Sequence, residues 1–68
     1  MHVQSEAITD LSYDARKARL FVRFHDGDRY VYYDVPATEH RAFVAAESKG
    51  GFFARRIRDH YRFEKLTR

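Results

Sequence analysis

Cysteine is absent from the 68 residues, so neither a disulfide nor a thiolate metal site can hold the fold together. That absence also fits a reducing compartment. No apolar run approaches the roughly 18 residues that span a membrane, and the opening MHVQSEAITD lacks the basic start and apolar centre of a signal peptide. A soluble cytoplasmic protein is the expectation. His2, His25, His40 and His60 fall at no metal-ligand spacing, so no metal and no other cofactor is expected. Internal repeats, low-complexity stretches and linkers are missing too, which leaves one domain.

A domain of 68 residues is near the lower limit for folding without staples, so the core must supply the stability. Six Phe and five Tyr are available for it. Charge is unevenly spread: residues 49–68 carry +5, from Lys49, Arg55, Arg56, Arg58, Arg62, Lys65 and Arg68 against Asp59 and Glu64, while residues 1–48 carry −2. The C-terminal third is therefore the candidate anion-binding surface, against the plainer reading of a solvated, arginine-rich helix face.

The strongest local signal is Leu20 to Val35, LFVRFHDGDRYVYYDV, two alternating runs around Asp26-Gly27. Asp-Gly between such runs predicts a two-residue type I′ hairpin, with positive φ at both positions. Phe24 then faces Arg29, Val22 faces Val31 and Leu20 faces Tyr33. Because strand side chains alternate with period 2, Leu20, Val22, Phe24, Val31 and Tyr33 form the predicted core face. Phe21, Arg23, Tyr30 and Tyr32 take the other face. There they either stiffen the sheet as cross-strand pairs or offer an open aromatic surface for bases or a partner protein. A shift of register by one residue would change which side chains share a face.

Ala7 to Tyr13 reads as an earlier strand with Leu11 and Tyr13 on one face; Ile8 falls on the opposite face, so either a bulge intervenes or Ile8 caps the sheet edge. Asp14-Ala15-Arg16-Lys17 reads as the turn that follows. Pro36, lacking an N–H, ends the third strand. A helix is predicted from Ala37 to about Ser48 with Phe43 and Ala46 inward, stopped by Gly50. A second helix, about Gly51 to Arg62, has Phe53, Ile57 and Tyr61 as its buried stripe. Residues 1–6 and 64–68 are expected to be loose tails around an ordered core of about 7–62. The predicted fold is α+β: a three-stranded antiparallel β-meander followed by two α-helices packed on one face.

Ser48-Lys49-Gly50-Gly51 precedes a helix and reads either as a corner capped by Ser48 or as an anion seat near Arg55 and Arg56. It lacks the glycine spacing and the Lys-Ser/Thr pair of a P-loop. Asp10, Asp14, Asp26, Asp28 and Asp34 sit mostly at turns and strand ends, where carboxylates commonly bond backbone N–H groups. Nothing specifies a catalytic triad, and so small a domain has little room for a deep, dry pocket. No enzymatic activity is expected.

The runs Ile8-x-x-Leu11-x-Tyr13-Asp14, Leu20-x-Val22-x-Phe24-x-x-Gly27-x-x-Tyr30-x-Tyr32-x-x-Val35-Pro36, Ala46-x-Ser48-x-Gly50-x-x-Phe53 and Ile57-x-x-x-Tyr61 closely resemble the KTSC domain family. That family is named for its occurrence at the C-terminus of some lysyl-tRNA synthetases, and it also occurs as short stand-alone bacterial proteins. The resemblance spans Ile8 to Tyr61. Its attachment to a synthetase implies RNA binding, and its Tyr-x-Tyr motif falls on Tyr30 and Tyr32. Ser12 and Ala54 depart from the glycine and asparagine often found in the family.

These readings converge on a small non-catalytic RNA-binding module for tRNA or another structured RNA. Lys49, Arg55, Arg56, Arg58 and Arg62 are the expected phosphate contacts, with Arg23 at the sheet edge and Tyr30 and Tyr32 as stacking surfaces. The alternative is a protein-interaction module in which Phe21, Tyr30 and Tyr32 dock another protein or a second copy. A monomer is expected, with at most a weak homodimer.

Overall fold

The computed structural model describes residues 7–67. Three strands come first, β1 (Ile8–Asp14), β2 (Arg19–Phe24) and β3 (Arg29–Tyr32), followed by helix α1 (Ala37–Ala45). A short α2 (Lys49–Phe52) runs on as a π-helical turn, Phe53–Ile57, and β4 (Phe63–Lys65) returns to the sheet. The result is a four-stranded antiparallel sheet in the order β1-β2-β3-β4, which corrects the expected three-stranded meander. The expected fraying of residues 64–68 gives way to pairing: Glu64 lies opposite Val31, and Tyr33 N–H and Leu66 N–H bond the carbonyls of Arg62 and Arg29 at 2.8 and 2.7 Å. Arg68 and the expected N-terminal tail, 1–6, lie outside the described residues.

In β1 the register shifts between Ile8 and Asp10, so a bulge turns Ile8 onto the same face as Leu11 and Tyr13. Ile8 and Leu11 are almost wholly buried. Tyr13 reaches further: its hydroxyl donates to the Val35 carbonyl at 2.6 Å and its ring stacks on His40 at 4.5 Å, tying β1 to α1. Asp14 then makes the turn by accepting the N–H groups of Arg16 and Lys17 at 3.0 and 3.3 Å.

The central hairpin is one residue off the predicted register. Leu20 pairs with Tyr32, Phe21 with Val31, Val22 with Tyr30 and Arg23 with Arg29. The turn is the cause. Gly27 N–H bonds the Phe24 carbonyl at 2.9 Å and Phe24 N–H bonds the Asp28 carbonyl at 2.8 Å, which makes His25, Asp26 and Gly27 a three-residue loop. Of these only Gly27 has positive φ, +94°, whereas a type I′ turn needs two such residues. Asp26 still contributes, its Oδ1 accepting the Asp28 N–H at 2.9 Å. With the register moved, Tyr30 and Tyr32 join Leu20, Val22 and Phe24 on the face the helices cover. Val31 and Tyr33 go to the opposite face with Phe21 and Arg23.

Pro36 caps α1 rather than ending β3, which stops at Tyr32; its carbonyl accepts the N–H groups of Glu39 and His40 at 3.0 and 3.2 Å. The helix ends at Ala45, short of the predicted Ser48, because Ala46 is already extended at φ −66° and ψ 138°. Gly50 therefore does not stop α1 but lies inside α2. Ser48 is the cap of α2, its Oγ accepting the Gly51 N–H at 3.0 Å. Beyond it, Arg58 N–H bonds the Phe53 carbonyl at 2.9 Å, five residues back, and the helical segment ends at Ile57, well before the predicted Arg62. Phe52 stacks on Phe43 at 5.0 Å, and Phe53 meets Phe24 and Tyr32 edge-on at 5.1 and 5.5 Å. This aromatic layer over Leu11, Leu20, Val22 and Ile57 is the core. No helix among the described residues is long and apolar enough to cross a membrane.

Candidate nucleic-acid interface

The structure divides the residues expected to bind nucleic acid between two sides of the sheet. On the helix side, Tyr32 is only 2 % exposed, with Phe53 and Phe63 centred 5.5 and 5.4 Å from its ring. Burial, chiefly, pushes its hydroxyl up to about 12, with Tyr30 adding to the effect. It has no free face on which a base could stack, so the expected stacking surface is corrected for this residue. Tyr30 is half-buried, edge-on to Phe24 at 5.5 Å and beside Phe63 at 5.9 Å. Since Phe21 lies on the other face, the Phe21, Tyr30 and Tyr32 docking surface of the protein-interaction alternative is not one surface.

The helical cations are unequally available. Lys49 bends back to donate its ammonium to the Ala46 carbonyl. Arg56 is held by Glu39 at 3.0 Å and lies 5.5 Å from the centre of the Phe52 ring, so it fastens the π turn to α1. Arg55 is exposed beside Gly51, and Arg58 is exposed with Asp59 at 3.9 Å. A separation of 3.9 Å between exposed groups leaves Arg58 largely free to take another anion.

On the face turned away from the helices, the observed register gathers a set the sequence reading did not assemble. Arg19, Phe21 and Arg23 come from β2, and Arg29 and Val31 from β3. Tyr33 follows, with the guanidinium groups of Arg19 and Arg62 at 5.2 and 4.7 Å from its ring centre. Its hydroxyl donates to the Glu64 carboxylate of β4; that hydrogen bond, more than desolvation, raises the hydroxyl above its ordinary range. Tyr33 thus holds two arginines against the sheet. A shallow hollow of about 370 Å³ lies beside Phe21, Arg23, Arg29 and Leu66. Asp10, opposite Arg23 in register, gives it an acidic border. Of the eight residues expected to bind, only Arg23 and Arg62 belong here, joined by Arg19 and Arg29. The missing signal was the register: shifting the β2–β3 pairing by one residue puts Arg29 beside Arg23.

A group of three or more potential metal ligands is absent among the described residues. The family model that matches the chain is the KTSC domain, over residues 4–61. A protein of Tsukamurella paurometabola is 37 % identical over 60 residues, covering 88 % of this chain and 90 % of that one. The crystal structure of a KTSC domain protein from Yersinia pestis superposes with a TM-score of 0.93 at 32 % identity, over 98 % of this chain and 94 % of that one.

Proposed function

The chain belongs to the KTSC domain family, and on that premise we propose that it is a non-catalytic RNA-binding module whose phosphate contacts lie on the open face of the sheet. One observation carries the reading: Arg19, Arg23, Arg29 and Arg62 share a face with Phe21 and Tyr33, and two of the four are ordered over the Tyr33 ring. Guanidinium groups fixed on an aromatic lose less freedom on binding, and their planar forks suit phosphate oxygens. Structured RNA, tRNA included, offers backbone phosphates beside splayed bases, the combination such a surface accommodates. Arg55 and Arg58 extend the positive surface around the helix side.

The test is fluorescence anisotropy of labelled tRNA and of a matched single-stranded DNA at about 50 and 200 mM salt. Binding weakens with salt, and the Arg23→Ala/Arg29→Ala variant weakens it and lowers the salt slope by about 0.7–0.9 for each phosphate that is no longer neutralised. Absence of binding at low salt, or binding indifferent to salt, sinks the reading.

A further inference from the structure

The open sheet face leaves unused a cleft of about 510 Å³ on the helix side, at the turn end of the hairpin. Its walls are the rings of Phe24, Tyr30, Phe53 and Phe63, and its rim holds His25, Asp26, Asp28 and Arg58. Phe63 is 49 % exposed, the largest apolar side chain the described part of the molecule leaves open to water, although its ring is also packed beside Tyr30. We infer that this cleft receives one unpaired guanine base, an inference that rests on the RNA-binding reading above.

The volume suits one nucleotide, and an exposed ring beside Tyr30 offers a stacking platform. Stacking alone accepts any base. The rim makes the choice. Ionised carboxylates only accept hydrogen bonds, and both have one oxygen already engaged: Asp26 Oδ1 by the Asp28 N–H at 2.9 Å, Asp28 Oδ2 by the Lys65 ammonium at 3.2 Å. Each retains a second oxygen for a ligand donor. Guanine presents two adjacent donors, N1–H and the N2 amino group, on its Watson–Crick edge. Adenine and cytosine place a lone pair next to their amino group, and uracil flanks its single N–H with two carbonyls, so each would set an acceptor against a carboxylate. Arg58, exposed at the rim, is the cation for the adjoining phosphate.

The probes are the free 5′-mononucleotides GMP, IMP, AMP, CMP and UMP, titrated into the whole chain and followed by NMR shifts of the ring protons of Tyr30, Phe53 and Phe63. GMP is expected to shift these rings and to bind at least about tenfold tighter than IMP, which lacks the N2 amino group, and than the other three. Phe63→Ala weakens GMP. Because Phe63 is half exposed, that variant is expected to stay folded, which a thermal melt checks; Asp28→Asn supplies an independent readout by relaxing the preference among bases. Equal affinity for GMP and AMP overturns the inference, as does preference for a trimethyllysine or arginine peptide, which would make the cleft a cation cage. The two readings fail separately. Salt-dependent tRNA binding without guanine preference removes the guanine site alone, whereas GMP binding without tRNA binding removes the RNA module alone.

Discussion

Replacing Tyr32 and, separately, its neighbour Tyr33 tests the hairpin register on which both surfaces depend. In the structure Tyr32 is 2 % exposed and touches Phe53 and Phe63, while Tyr33 lies partly exposed on the other face under two arginines. Truncating a fully buried large aromatic typically costs about 3–5 kcal/mol. A domain of this length has a total stability of only about 3–10 kcal/mol, so Tyr32→Ala removes much or all of it. Tyr32→Leu, which keeps most of the volume but forfeits its ring contacts with Phe53, Phe63 and Tyr30, is expected to cost about 1.5–4.5 kcal/mol. Tyr33→Ala takes away a partly exposed ring on which two arginines rest, each such pairing worth about 0.5–1 kcal/mol. The assay is urea unfolding followed by far-UV circular dichroism, supported by thermal melts in which 1 kcal/mol corresponds to about 4–8 °C at this size. A two-residue turn would reverse the two faces and therefore the ranking. If Tyr33→Ala proves the more damaging substitution, the register described above is wrong.

Three other substitutions probe the same core and its helix start. In the native protein burial pushes the Tyr32 hydroxyl up to about 12, against about 10 in the unfolded chain. Between those values the folded state keeps a proton that the unfolded state has lost, so this contribution to stability is complete below about pH 10 and declines as pH rises towards about 12. Absorbance at about 295 nm and alkaline unfolding report it, and Tyr32→Phe should abolish this component; an unchanged alkaline profile in that variant would refute the assignment. At Gly51, an added Cβ would meet Ser48 Oγ at 2.8 Å and Arg55 Nη1 at 3.2 Å. Gly51→Ala is expected to displace the Ser48 cap, worth about 1 kcal/mol, against a helix-propensity gain of similar size. In a Ser48→Ala background no cap remains to be displaced, so there Gly51→Ala should be stabilising; equal effects in both backgrounds would show that the clash is relieved some other way.

Much of the fold was legible because it is local. Alternation located β1, β2 and β3, the polar run at Asp14 located the first turn, and Phe43, Phe53 and Ile57 marked the buried sides of the helical segments. What stayed hidden depends on residues distant in sequence. β4 is three residues long and exposed throughout, too short for a recognisable alternation, and only its pairing with β3 makes it a strand. The end of α1 was misplaced because the glycine used as its stop belongs to the next helix, whose start Ser48 defines.

The site was harder to read because one residue of turn length decides it. Asp26-Gly27 fits two hairpins that differ only in whether His25 belongs to the strand or to the loop, and local propensity separates them weakly. What settles the choice is burial. The longer loop sends Tyr30 and Tyr32 inward to meet Phe53 and Phe24, while Tyr33 turns outward to hold Arg19 and Arg62. The shorter loop would instead place two tyrosines outside and leave Phe53 without its edge-on partner Tyr32. The packing that stabilises the domain is thus also what exposes the arginines. A sequence reading can recover that coupling only by asking what the aromatic side chains of the helices pack against, and not by pairing the hairpin alone.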